Sequence, residues 1–114
     1  MAELDFVRIT ESRRHAEEIS GLHFSIWIGA SDDDPRAQAE RLHAALPNPE
    51  RSVYLACNVA QHTLEVVTGA SARQTLTDEE CVEATRSMRE VLKEGGITDA
   101  VVLGLTHLST YAVA

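Results

Sequence analysis

Two apolar runs separated by four residues constrain this chain most. "SVYLACNV", 52–59, carries apolar side chains at odd and even positions, and "LEVVTG", 64–69, reads as the strand that follows it. A strand with one wet face alternates apolar with polar, whereas a strand apolar on both sides reads as covered on both sides. The link "AQHT", 60–63, is too short for anything but a turn, so these two strands are expected to form an antiparallel hairpin. Such a hairpin cannot stand alone and needs helices to cover it.

"HFSIWIG", 23–29, supplies a third strand. Phe24, Ile26 and Ile28 face one way and His23, Ser25 and Trp27 the other, with neither side fully polar, so this strand too is expected to be covered on both sides. Its link to the second strand is long and carries a helical pattern, so these two strands are expected to be parallel, with a right-handed crossover.

The remaining segments read as helices with local start and stop signals. Asp5 can cap a first helix, whose apolar positions Phe6, Ile9, Ala16 and Ile19 recur at helical spacing and which Gly21 can end. In "ASDDDPRAQAERLHAALP", 30–47, Asp34 before Pro35 matches an N-cap followed by Pro at the first helical position. Ala39, Leu42 and Leu46 form its apolar stripe, and Pro47 and Pro49 end it. In "TGASARQTLTDEE", 68–80, Thr77 and Glu80 fit a reciprocal capping box, and Cys81, Ala84, Met88, Val91 and Leu92 give the helix a buried stripe. Gly95 and Gly96 end it. A last helix is expected from about Asp99 to Tyr111, the most buried of the four, with Val101, Leu105 and Leu108 inside and Gly104 allowing a close approach to the sheet.

The stretch 68–80 also raises the possibility of a phosphate loop. It lacks the GxxxxGK[ST] pattern, and three carboxylates at the helix start repel phosphate. It is read as a joint between a strand and a helix.

The order helix, "SGLHFSIWIG" (20–29), acidic loop and helix, hairpin ending "EVVTG" (65–69), "LTDEE" (76–80) and a final apolar helix containing a Gly resembles the TPM domain family, found in a plant photosystem II repair protein and in many bacterial proteins. Within that family it is most similar to an actinobacterial branch of unknown function. The resemblance implies a three-layer α/β/α sandwich with a small mixed sheet of about three strands, one hairpin and about four helices. For some members it also implies acid phosphatase activity and divalent-metal binding. Gly69 and Asp78 match the family pattern. "LPNPERSV", 46–53, has neither the Asp nor the Gly of the loop that many members carry there, and "TGASA", 68–72, replaces a Gly-Tyr-Gly turn.

Length and charge narrow the function classes. The 114 residues suit one domain spanning the chain. A formal charge of −8 argues against nucleic acid and against an anionic membrane surface. "MAELDFVRITESRR" has no signal-peptide core, and no apolar run approaches the roughly 18 residues of a membrane span, so a cytoplasmic chain is expected. Cys57 and Cys81 form no CxxC and are expected to be reduced and buried.

The residues that bear chemistry are few. Asp32, Asp33 and Asp34 follow the first strand, where ligands gather in α/β sheets. Asp32 and Asp33, helped by Asp78, are candidate ligands for Ca2+ or Mg2+, hard cations that take several oxygens. The structural reading of the same residues is an N-cap and a solvated acidic loop. His15, His23, His43, His62 and His107 show no metal-ligand spacing. His15 and His43 are expected exposed on helices, and His62 in a turn. Three functions stay open: a non-enzymatic interaction or regulatory module with a protein partner, a metal-assisted acid phosphatase, and a small-ligand or structural oligomeric subunit.

Overall fold

Every side chain of the central strand is buried in the computed structural model, which describes residues 4–94 and 96–113. Gly95 lies outside the described residues. The chain has the expected α/β class, with four α-helices and one three-stranded mixed sheet among the described residues. It divides into two units, one running from Leu22 to Gln74 and the other made of the segments on either side.

The first unit holds the sheet, in the order β1 (His23–Gly29), β2 (Ser52–Asn58), β3 (Thr63–Thr68). β1 runs parallel to β2, with Phe24 beside Val53 and Ile26 beside Leu55. β3 runs antiparallel to β2, with Val66 beside Leu55 and Leu64 beside Cys57. These pairings agree with the link lengths. β2 is central and buried on both faces, whereas β1, expected to be covered on both sides, buries only Phe24 fully, leaves His23 exposed and is half-exposed from Ser25 to Gly29.

α1 to α4 follow in chain order as Phe6–Ser20, Pro35–Ala44, Asp78–Lys93 and Ile97–Tyr111. In the sheet unit, α2 lays Ala39 over Tyr54, Ala56 and Val67, with Trp27, Leu42 and Leu46 packed against them. Asp34 caps α2 as expected, its carboxylate accepting from the Ala37 amide at 2.9 Å. The Arg36 guanidinium donates to the Val66 carbonyl at 2.9 Å and so ties α2 to β3.

In the other unit α4 packs against both α1 and α3. Val101, Leu105 and Leu108 are fully buried there, as the stripe predicts. α4 begins at Ile97, two residues before the expected start, with Gly96 as its N-cap. Gly21 ends α1 at φ 73°, its amide donating to the Glu17 carbonyl. Within this unit the close neighbour of Gly104 is Met88 of α3: a Cβ at 104 would lie 2.5 Å from the Met88 sulfur. One packing expectation is corrected. Phe6, placed on the apolar stripe of α1, is 67% exposed. The Asp5 amide donates to Thr98 Oγ1 and Arg8 pairs with Asp99, which turns the first turn so that Ile9 is buried and Phe6 faces out.

Candidate functional site

The acidic loop after β1 is held by the hairpin turn. Gln61 Nε2 donates to the carbonyls of Ser31 at 2.7 Å and Asp33 at 2.8 Å. Asn58 Nδ2 donates to the same Ser31 carbonyl at 3.0 Å, while its Oδ1 accepts from the amides of Ala60 and Gln61. Sequence reading did not single out Asn58 or Gln61. An Asn at the end of a strand, poised to accept from backbone amides two and three residues on, is the signal that marks Asn58.

The three aspartates play different parts. Asp34 is the N-cap of α2. Asp33 places a carboxylate oxygen 3.6 Å from the Arg41 guanidinium. Asp32 is exposed. Asp78 opens α3, in the other unit. Among the described residues no three His, Cys, Asp or Glu side chains form a group that could hold a metal ion.

The stretch 68–80 is a joint. The Gly69 amide donates to the Ser52 carbonyl at 3.1 Å, and the Ser71 amide to the Glu50 carbonyl at 3.0 Å. A phosphate loop needs such amides free to converge on the anion. Here two of them bind backbone oxygens. The capping box is complete, with Thr77 Oγ1 accepting from the Glu80 amide and Glu80 Oε1 accepting from the Thr77 amide.

The thiols and imidazoles divide by burial. Cys57 and Cys81 are free and buried. Burial pushes the Cys57 thiol up from its ordinary pKa, which keeps it neutral and a poor nucleophile. His15, His23 and His62 are exposed, His62 in the hairpin turn at φ 55°. His43 overturns its expectation. It is 8% exposed, and its Nε2 lies 3.0 Å from the Ser52 carbonyl. It sits four residues past Ala39, on the stripe that meets the sheet, and a carbonyl acceptor satisfies the ring there.

An open groove lies between the start of α3 and the end of α4. Thr77, Glu79, Glu80, Val82, Glu83 and Tyr111 line it, and its volume is about 530 Å³. Val82 is 56% exposed and Tyr111 39%. The Tyr111 ring stands edge-on to His107, with centroids 6.3 Å apart. The sequence showed Val82 and Tyr111 only as helix positions, because their meeting depends on how α3 and α4 pack.

Solved structures share this fold. The BA42 protein of the psychrophilic bacterium Bizionia argentinensis matches with a TM-score of 0.83 at 14% identity, over 97% of this chain and 82% of that one. The N-terminal domain of the cg2496 protein of Corynebacterium glutamicum matches with a TM-score of 0.79 at 13% identity, over 98% of this chain and 74% of that one. At such identities the likeness shows the fold alone. No curated protein matches the chain. A family model, described as a domain of unknown function, matches residues 1–109, and the chain therefore belongs to the DUF5130 family.

Proposed function

We infer that this protein is a non-enzymatic interaction module and that the α3–α4 groove is its contact surface. The observation that carries this reading is the pairing of two exposed apolar side chains, Val82 and Tyr111, in one open groove. Apolar residues on a surface are ordinary when scattered, and they suggest a partner when they line one concavity. A photo-crosslinking amino acid placed at Val82 in cells of the source organism tests it. The expected result is one discrete protein adduct, lacking when the same group replaces exposed Arg14 on α1. Equal labelling from both positions, or none from either, overturns the reading.

The resemblance to TPM domains supports a second reading, a divalent-metal-assisted acid phosphatase. What favours it is the placement of Asp32 and Asp33 just past the carboxyl end of β1, in a loop whose backbone Gln61 and Asn58 hold. A hard cation takes about six to eight oxygens, so water would complete most of the shell and binding would be weak. The Ca2+ titration described in the Discussion tests it.

A further inference from the structure

We propose that the α3–α4 groove docks a cationic segment of a partner protein, with an apolar side chain seated between Val82 and Tyr111 and Lys or Arg on either side. This rests on the interaction-module reading and names the chemistry of the partner.

Charge complementarity carries it. No Lys or Arg lines the groove, whereas Glu79, Glu80 and Glu83 do. Asp78, in the same first turn of α3, adds a fourth carboxylate nearby. Glu80 accepts from the Thr77 amide, and Glu83 is 2.8 Å from Arg86, an exposed pair. Asp78 and Glu79 make no ion pair among the described residues. The positive end of a helix dipole is equivalent to roughly half a charge, so it offsets only a small part of the three carboxylates on the first turn of α3.

The end of α4 acts in the same sense. Tyr111 is its last residue, and its last turn carries no basic side chain. The negative end of the α4 dipole therefore lies at the residue that lines the groove, with no basic side chain in that turn to complement it. Carboxylates of α3 and the apolar side chains of Val82 and Tyr111 line one groove. An anionic segment would be repelled there. An uncharged apolar one would forgo the electrostatic attraction that gives orientation and on-rate.

The test uses the full chain, labelled for amide NMR, and a capped eight-residue peptide with two central leucines flanked by lysine and arginine. The control peptide carries glutamate in place of each basic residue. The expected result is that the basic peptide shifts amides over residues 77–83 and 107–112. Its affinity should fall about tenfold or more between about 50 and about 500 mM salt, as the Debye length shrinks below the spacing of the charges. Glu79→Gln with Glu83→Gln should weaken binding about tenfold, and Val82→Ser should weaken it separately, each with the remaining spectrum unchanged.

Several outcomes overturn the proposal. Equal shifts from the acidic control would show a docking groove without charge selectivity, and so would leave the interaction-module reading standing. Groove shifts that grow with protein concentration alone would make the occupant a second copy of this chain. Shifts spread over other acidic surfaces and untouched by the variants would show unspecific charge attraction. With no shift from either peptide the cationic class fails, and the Val82 crosslink then decides the interaction reading by itself.

Discussion

The carbonyl oxygen of Pro49 occupies the space that a Cβ on Gly69 would need. The Glu50 carbonyl stands beside it, so both obstructing groups are backbone. Gly69 ends β3 against the 49–51 turn, and two amide–carbonyl bonds hold that approach, Gly69 to Ser52 and Ser71 to Glu50. A glycine at 69 thus has a packing reason.

Gly69→Ala is expected to destabilise the protein by about 2 kcal/mol or more, because a methyl there must displace the main chain. Gly104→Ala is the comparison. Its obstruction is the far end of the flexible Met88 side chain, and alanine is the better helix former by about 1 kcal/mol, so the net cost should be smaller. Urea midpoints for both variants check the order. If Gly104→Ala proves the more damaging, the backbone approach at Gly69 is not the tighter constraint.

Thr77→Ala should cost about 1 kcal/mol through loss of the cap. Glu80→Ala removes the reciprocal bond, and the double variant should cost less than the two single costs added, since each single change already breaks the box. Strict additivity in denaturation would show two independent contacts.

His62 adopts a left-handed conformation in the hairpin turn, at φ 55°. A side chain there costs about 1–2 kcal/mol relative to the usual conformation, and glycine avoids most of it. His62→Gly is therefore expected to raise stability by about 0.5–1 kcal/mol, offset in part by the greater freedom of an unfolded glycine. A fall in the melting temperature would mean that the His62 ring makes a contact worth more than the strain.

Cys57 and Cys81 should react with a thiol reagent only after unfolding, since both are buried. Two thiols should be counted in denaturant, and native protein should react slowly at neutral pH. Burial raises the pKa of Cys57 in the folded state above its unfolded value. Its contribution to stability is complete below the unfolded pKa and is lost as pH rises through the higher folded one. Cys57→Ala should thus flatten the alkaline decline above about pH 9. An identical decline in the variant would place its cause elsewhere.

The metal-assisted reading requires Ca2+ binding in the acidic loop at a dissociation constant on the order of 10⁻⁴–10⁻³ M, because the loop lacks the spaced ligands of a dedicated calcium site. Amides of residues 31–34 should shift, and the melting temperature should rise by mass action. Asp32→Asn with Asp33→Asn should abolish both effects, with the Asp34 cap left intact. If millimolar Ca2+ moves no resonance in the loop, the metal reading fails and the phosphatase reading with it.

The sequence by itself determined the elements whose signals lie within a few residues of one another. Asp34 before Pro35, the Thr77–Glu80 box and Gly21 set helix ends through local hydrogen bonds and allowed backbone angles. The four-residue and helix-bearing links set the antiparallel and parallel pairings, because link length limits how strands can meet. Tertiary structure decided what depends on which face meets which neighbour. His43 is buried because α2 turns it toward the β2 carbonyl of Ser52, and Phe6 is exposed because the Thr98 and Asp99 contacts set the rotation of α1. Asn58 and Gln61 act on a loop some thirty residues earlier in the chain, a separation that no local pattern spans. The α3–α4 groove exists only once two helices pack side by side. Each helix taken alone shows an ordinary Val82 and an ordinary Tyr111, and only their packing brings both into one acidic concavity.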